Sequence, residues 1–148
     1  MGNKEIKVLI FSIGDEYYAT DIMEIERILG YKETTKLPDS PDFVEGVINY
    51  EGNILPIISL SKRFRLGADQ KGDQSKIIVT KQDGNKIGVI VDEVSEVRDV
   101  KESDIEVPPE IIAGISKRYV KGLIKIDEKI VIFLNMAKIL TDKEKELI

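Results

Sequence analysis

Two stretches of this sequence match each other without a gap. The first is Phe43-Val-Glu-Gly-Val-Ile-Asn-Tyr-Glu-Gly-Asn-Ile-Leu-Pro-Ile-Ile-Ser-Leu-Ser-Lys-Arg-Phe64, and the second is Tyr119-Val-Lys-Gly-Leu-Ile-Lys-Ile-Asp-Glu-Lys-Ile-Val-Ile-Phe-Leu-Asn-Met-Ala-Lys-Ile-Leu140. Each residue of the second stretch lies 76 positions after its counterpart, and apolar positions stay apolar. The repeat predicts two similar β units, each too small for a good core alone, that bury a shared apolar face. A chance likeness between two β-hairpins is the alternative.

A fainter repeat links the segments in front of these stretches. Lys7-Val-Leu-Ile10 resembles Lys76-Ile-Ile-Val79, and Asp21 would then correspond to Asp92. We therefore expect the two units to share more than one hairpin.

Length and composition limit the class of protein. The chain has 148 residues, with 22 Lys and Arg against 27 Asp and Glu, and a net charge of −5. This length predicts one domain, or two small units that share a core. The sequence contains no Cys and no His, which excludes disulfides, thiolate nucleophiles, Cys-rich zinc sites and imidazole catalysis. The composition therefore favours a binding module over an enzyme, with no cofactor or metal.

The acidic balance and the short apolar runs narrow the class further. A pI near 4.9 argues against a protein that binds nucleic acid or anionic membranes, because both need a cationic surface. The longest apolar run, residues 54–60, is far shorter than the roughly 20 residues that span a bilayer. No secretory signal is visible at the amino terminus. We expect a cytoplasmic protein.

Apolar runs between turn residues predict a mainly β fold. Strands are expected at 6–13, 17–19, 46–50, 54–59, 76–80, 86–91, 123–126 and 130–134, with weaker candidates at 26–30 and 94–100. Many of these runs are continuously apolar rather than alternating, which indicates sheets covered on both faces, as when two small barrels pack together.

Turn residues and helix signals divide the chain. Hairpin turns are expected at 14–16, 51–53 and 83–85, where Gly or Asn tolerates positive φ. Short helices are expected after Asp21, over 60–64, and over 135–145, with Asp21 and Asn135 as N-caps. The polar, Gly-rich segment 67–75 reads as a connector. We expect one domain over 1–148, with intertwined subdomains at roughly 15–66 and 76–140 and the N-terminal strand unassigned.

Six segments together resemble the chemotaxis coupling proteins of the CheW family. They are Phe11-Ser-Ile-Gly-Asp-Glu-Tyr-Tyr-Ala19, Asp21-Ile-Met-Glu-Ile25, Pro41-Asp-Phe-Val-Glu-Gly-Val-Ile-Asn49, Ile54-Leu-Pro-Ile-Ile-Ser-Leu60, Gly88-Val-Ile-Val-Asp-Glu-Val-Ser-Glu-Val97 and Tyr119-Val-Lys-Gly122. The resemblance implies two five-stranded SH3-like β-barrel subdomains around a shared hydrophobic core, with a C-terminal helix. It also implies a non-enzymatic scaffold, or adaptor, in bacterial signal transduction. Such proteins couple methyl-accepting chemoreceptors to the regulatory domain of the chemotaxis histidine kinase, recruited to receptor arrays at the inner face of the membrane.

The same resemblance implies two protein-binding sites. Contact with the cytoplasmic tips of chemoreceptors would use the strand after Asp21 and the turn of the following hairpin, which selects Ile25, Arg27, Leu29, Asn49, Tyr50, Glu51 and Gly52. Contact with the kinase would use a later loop, which selects Pro109, Glu110, Ile111 and Ile112. Apolar side chains in that loop are either a plug or an exposed contact patch.

One departure from the family pattern carries a hypothesis of its own. The family usually has Asn-Leu-Arg-Gly at positions 49–52, so Glu51 replaces an Arg implicated in receptor binding, and some relatives have an acidic residue in place of Arg27. We expect the two charges to be exchanged, with Arg27 paired to Glu51 across the groove. An exposed pair adds only about 0–1 kcal/mol, so its role would be partner choice and register. The alternative is that Glu51 is merely a turn residue.

Other classes stay open. A kinase regulatory module or an adaptor fused to a receiver domain would share the fold, although the chain begins at Met1 and no receiver-like segment follows. A carboxylate-based hydrolase would need a deep pocket that holds Glu51 and Asp92 together. An SH3-like nucleic-acid binder is disfavoured by the net charge.

Overall fold

The computed structural model describes residues 4–66, 72, 74–82, 84–107 and 118–140. Over these ranges the chain forms eleven strands, one short α-helix and three 3₁₀ turns. The strands are β1 Glu5–Ile13, β2 Glu16–Asp21, β3 Ile25–Gly30, β4 Val44–Tyr50, β5 Asn53–Ser59, β6 Lys76–Gln82, β7 Asn85–Val91, β8 Glu93–Lys101, β9 Ile105–Glu106, β10 Val120–Ile126 and β11 Lys129–Leu134. The helix α1 is Leu60–Arg63, and the 3₁₀ turns are Ile22–Glu24, Glu102–Asp104 and Met136–Lys138.

The strands form two sheets that interlock along the chain. One sheet has the order β8-β1-β2-β11-β10-β9, and the other has the order β3-β6-β7-β5-β4. Neighbours are antiparallel except for the parallel pairs β2–β11 and β5–β7. Each sheet takes strands from both predicted ranges, 15–66 and 76–140, because β2 joins β10 and β11 while β4 and β5 join β6 and β7. The bounds of the two subdomains stay a prediction.

The sequence repeat is also a repeat in structure. The β4–β5 and β10–β11 hairpins correspond at 76 positions, and each has a register shift at the same place, between Val44 and Gly46 and between Val120 and Gly122. The main-chain bond that closes each hairpin is also shared: the residue after the apolar run of each hairpin, Ser59 or Asn135, donates its N–H to the carbonyl oxygen 16 residues earlier, at 2.8 Å in both cases.

The fainter repeat is confirmed in part. Leu9 pairs with Thr20 in one sheet and Ile78 with Val89 in the other, so the β1–β2 and β6–β7 hairpins correspond at 69 positions. The likeness of the segments beginning at residues 7 and 76 therefore holds. The equivalence of Asp21 and Asp92 is wrong, because the offset of 69 makes Asp21 correspond to Ile90, two residues before Asp92.

Three apolar clusters make up the core. The central cluster contains Leu9, Phe11 and Tyr18 from one sheet and Val44, Ile58 and Val89 from the other, so the two sheets share it. Each sheet also curls around a cluster of its own, one with Val8 and Ile10 and the other with Ile77 and Val79. Successive residues of β1 therefore face two different apolar surroundings, which explains why its sequence is continuously apolar.

All ten predicted strands are present, extended by up to three residues. The two-residue strand β9 was not predicted, because it is too short to show a period. Asp21 caps the first 3₁₀ turn as expected, since its Oδ1 accepts the N–H of Met23 at 2.9 Å. Helix α1 also lies where expected.

Of the predicted C-terminal helix, 135–145, the structure describes only a 3₁₀ turn, Met136–Lys138, and residues 141–148 lie outside the described part. The expectation that Asn135 caps it is wrong, because the Asn135 side chain makes no capping bond. The Glu24 carboxylate replaces it and accepts the Met136 N–H at 3.1 Å, while its other oxygen lies 3.1 Å from Lys121 Nζ. A residue 112 positions away therefore caps this turn.

Candidate functional site

The turn between β4 and β5 places two of the predicted residues outside the sheet. Glu51 and Gly52 have φ of +52° and +81°, the combination found in two-residue hairpin turns of type I′. Asn49 stabilises the turn, since its Oδ1 accepts the Gly52 N–H at 3.1 Å. Asn49, Glu51 and Gly52 are all exposed, whereas Tyr50 is buried.

Strand β3 lies at the edge of its sheet and presents its residues unequally. Ile25 and Leu29 are partly buried. Ile25 packs against the central cluster, and Leu29 packs against the cluster that contains Ile77 and Val79. Arg27 and Ile28 are exposed. Of the three receptor contacts predicted on this strand, Arg27 is therefore the most accessible.

The structure brings Arg27 and Glu51 together, as predicted. Arg27 Nη1 lies 3.3 Å from Glu51 Oε1, and the two side chains are 56% and 53% exposed. The Arg27 guanidinium also lies 5.9 Å from the centroid of the Tyr50 ring, within the range of a cation–π contact. The predicted ion pair is confirmed as a contact, and it is open to solvent. The exchange of the two charges relative to the family stays a prediction.

Two residues that the sequence did not identify complete this cluster. The Tyr50 hydroxyl donates to Glu26 Oε2 at 2.7 Å, and Lys86 Nζ lies 2.9 Å from Glu26 Oε1. These bonds to Tyr50 and then Lys86 lower the pKa of Glu26. The bond to Glu26, followed by burial, raises the pKa of Tyr50. At neutral pH Glu26 is therefore a carboxylate and Tyr50 a neutral donor.

A groove of about 570 Å³ lies beside the cluster, between the β4–β5 and β6–β7 hairpins; we call it the Tyr50 groove. The side chains of Leu55, Ile87 and Leu140 are buried, whereas Ile54 is 78% exposed. Its described lining residues are Tyr50, Glu51, Asn53, Ile54, Leu55, Pro56, Gly84, Asn85, Lys86, Ile87 and Leu140. The groove thus combines apolar side chains with a polar and charged rim.

The predicted kinase contacts Pro109, Glu110, Ile111 and Ile112 lie outside the described residues. The described part of that loop ends at Val107, which is 86% exposed. At this position the loop therefore presents an apolar side chain to solvent.

Among the described residues, Glu51 lines the Tyr50 groove without Asp92, the carboxylate that a hydrolase site would need beside it. Asp92 accepts the N–H of Gly14 at 2.6 Å, beside the β1–β2 turn, and is not among the described lining residues of the Tyr50 groove. In the described ranges, no three acidic residues are grouped so that they could hold a metal ion. Across the same part of the chain, no helix is long and apolar enough to cross a membrane.

Comparisons with known proteins identify the family. Residues 7–144 match the CheW-like domain. The chain is 32% identical to the chemotaxis protein CheW of Klebsiella aerogenes over 95% of this chain and 84% of the relative, and 32% identical to that of Thermotoga maritima over 94% and 90%. The crystal structure of the scaffolding protein TtCheW from Thermoanaerobacter tengcongensis superimposes with a TM-score of 0.87 at 35% identity, over 95% of this chain and 91% of that one. These matches confirm the predicted architecture of two SH3-like subdomains, and the chain belongs to the CheW-like family of chemotaxis scaffold proteins.

Proposed function

We propose that this chemotaxis scaffold joins the cytoplasmic tips of methyl-accepting chemoreceptors to the regulatory domain of the chemotaxis histidine kinase, without catalysing a reaction. The observation that carries the proposal is the Arg27–Glu51 ion pair on the rim of the Tyr50 groove. These residues stand where the family resemblance places receptor contact, and the same resemblance implies that their charges are the reverse of those in some relatives. Family membership over nearly the whole chain supports the same function.

The groove suits an amphipathic helix. Exposed Ile54 and the apolar side chains behind it offer a surface for the apolar stripe of such a helix. The half-exposed charges of Arg27 and Glu51 would set the orientation and choice of the helix rather than its affinity. Because both sheets pack on one central cluster, a partner bound at one sheet is held in a fixed position relative to the other. The scaffold would then couple the receptor to the kinase by holding the two in fixed relative positions.

Kinase contact through Pro109, Glu110, Ile111 and Ile112 belongs to the same proposal and rests on the resemblance alone. The subdomain bounds of roughly 15–66 and 76–140 belong to the proposal as well, and so does a cytoplasmic location at the inner face of the membrane through bound receptors. Exposed Val107, next to that loop, is compatible with a contact patch there.

Binding of purified partners tests the proposal. The chain is mixed with a receptor cytoplasmic fragment and with the kinase regulatory domain, first separately and then together, and complexes are separated by size-exclusion chromatography. We expect a complex with each partner and a larger one with both. If neither partner is retained, the proposed function is wrong.

Charge reversal tests whether the ion pair takes part. We expect Arg27→Glu or Glu51→Arg to weaken binding of the receptor fragment by about tenfold, since like charges then face each other or the partner, and the double swap to restore part of it. Arg98→Glu is the matched control, because Arg98 forms the corresponding pair with Asp127 in the other sheet, at 2.6 Å. Equal affinities for all four variants would show that Glu51 is only a turn residue.

A further inference from the structure

A β-bulge brings two neighbouring side chains of β3 onto one tyrosine. Ile25 lies opposite Thr80 and Arg27 opposite Val79, so Glu26 is the extra residue between them. In a regular strand, successive side chains point to opposite faces, and a bulge alters this alternation. Here Glu26 accepts the Tyr50 hydroxyl bond while Arg27 lies against the ring of the same residue.

Lys86 of β7 joins this cluster from the other side of the groove. Its Nζ lies 2.9 Å from Glu26 Oε1 and 5.9 Å from the centroid of the Tyr50 ring. The two oxygens of Glu26 are thus taken by two different residues, the Tyr50 hydroxyl and the Lys86 ammonium. Without Lys86, one oxygen of the Glu26 carboxylate would lose its partner. Because Glu26 directly precedes Arg27, it could then compete with Glu51 for the guanidinium.

The cluster has an enclosed centre and an exposed rim. Tyr50 is buried, whereas Arg27 and Glu51 are more than half exposed. Arg27 lies against the Tyr50 ring and pairs with Glu51, so the position of the ring limits where the guanidinium meets the Glu51 carboxylate. A residue that fixes Glu26 and Tyr50 therefore also fixes the charged pair that faces a partner.

We propose that Lys86 is a positioning residue for the receptor-binding surface, acting through Glu26 and Tyr50 on the Arg27–Glu51 pair. The inference rests on the proposed function and adds the β6–β7 hairpin to the site. It gives Lys86 a role in the choice of receptor, because loss of its charge frees Glu26 to compete for Arg27 and so changes the charges that a receptor helix meets.

The test compares Lys86→Met with Lys86→Arg, and uses Lys81→Met as the matched control. Lys81 lies directly opposite Lys86 in the β6–β7 pair. It contributes least to lowering the pKa of Glu26. Affinity for the receptor fragment is measured by titration calorimetry, and the pKa of Glu26 by NMR. Thermal unfolding establishes that each variant is folded, and Glu26→Gln serves as a second variant if Lys86→Met is not.

We expect Lys86→Met to weaken binding about fivefold and to move the pKa of Glu26 up towards its ordinary value. Lys86→Arg should restore both, and Lys81→Met should change neither by a comparable amount. If the wild-type chain binds and Lys86→Met binds equally well, the inference is overturned while the proposed function stands. A failure of Lys86→Arg to restore binding would also overturn it. If the wild-type chain itself does not bind, the proposed function fails together with this inference.

Discussion

The β4–β5 and β10–β11 hairpins are two copies of one design with different surroundings. Both end in a two-residue turn with positive φ, and in both a carboxylate at the first turn position pairs with an arginine on an edge strand: Glu51 with Arg27, and Asp127 with Arg98. Arg98 lies two residues further along its strand than the position that corresponds to Arg27. The fold thus depends on what the copies share, and function on what they do not.

The residues that differ between the two copies lie around the turns. The second copy has a groove of only about 110 Å³, in which Ile126 stands in place of Tyr50 and Tyr17 in place of Lys86. Lys129, which corresponds to Asn53, lies 4.3 Å from the centroid of the Tyr17 ring, so the cation and the aromatic ring stand at different positions in the two copies. A partner that recognises one groove therefore meets a different order of charges in the other.

Both hairpins contain a glycine at the equivalent position, Gly46 or Gly122. Replacing it should give the largest difference in stability between the two copies. Gly46 has φ of +140°, and an added Cβ would press on the Thr35 carbonyl oxygen, which is tied to the Val47 N–H at 2.8 Å. Gly122 has no such φ, and its Cβ would meet a side-chain methyl of Ile105 at 2.5 Å and a backbone oxygen at 2.8 Å. We expect Gly46→Ala to lower the free energy of unfolding by about 3 kcal/mol or more and Gly122→Ala by about 1–3 kcal/mol. Urea denaturation measures both, and the reverse order would contradict the comparison.

The two hairpins also differ in how the turn that follows each one is capped. Ser59 caps α1 locally by accepting the Lys62 N–H at 3.1 Å, whereas Glu24 caps the Met136–Lys138 turn from the distant Ile22–Glu24 turn. We expect Glu24→Ala to cost about 1–2 kcal/mol of unfolding free energy and Ser59→Ala about 1 kcal/mol, because the first also removes the partner of Lys121. Glu24→Gln, which keeps an acceptor oxygen, should fall between Glu24→Ala and wild type in chemical denaturation. A Glu24→Ala variant as stable as wild type would show that the distant cap contributes nothing.

The second residue of each turn should cause a smaller difference in stability between the copies. The first turn has Gly52 at φ +81°, where glycine meets no strain, but the second has Glu128 at φ +66°. A non-glycine residue in the left-handed region costs roughly 1–2 kcal/mol, part of which glycine loses again as unfolded-state entropy. We expect Glu128→Gly to raise the free energy of unfolding by about 0.5 kcal/mol and so to raise the midpoint of thermal unfolding slightly. Gly52→Glu should lower both. Opposite signs would mean that the two turns are not equivalent.

The two ion pairs should contribute least to stability. Double-mutant cycles with alanine should give coupling free energies of about 0–1 kcal/mol for each pair. The Arg98–Asp127 pair should be the stronger, because its atoms are 2.6 Å apart rather than 3.3 Å and Arg98 is less exposed than Arg27. Both couplings should weaken as salt is added. A salt-independent coupling would contradict the view that these pairs are screened surface contacts.

The sequence predicted what depends on local patterns. Strands such as β1 and β6 were found because each lies between its own cluster and the central one, which makes both faces apolar. The repeat predicted the equivalent hairpins, and the likeness to the family predicted the Arg27–Glu51 contact. The sequence did not predict Glu24 as a cap, since Glu24 and Met136 are far apart in the chain and their meeting depends on tertiary packing.

The sequence did not predict the roles of Glu26 and Lys86, for a related reason. Glu26 reaches Tyr50 only because of the bulge, and nothing in residues 24–29 distinguishes a bulged strand from a regular one. Lys86 reaches it only because β7 pairs in parallel with β5, and such a crossover leaves no local signal. The one local clue is that Lys86 lies beside the predicted turn at 83–85.

The exchange of strands between the halves has a consequence during synthesis on the ribosome. The sheet of β3 to β7 is complete once residue 91 has emerged, but β2 lacks its neighbour β11 until residue 134 has followed. The 113 residues between the end of β2 at Asp21 and the end of β11 at Leu134 take roughly ten seconds at typical translation rates, and for that time the edge of β2 is uncovered. The first part of the chain to be made is thus among the last to be finished, and in that interval it is open to chaperones and to pairing with other nascent chains.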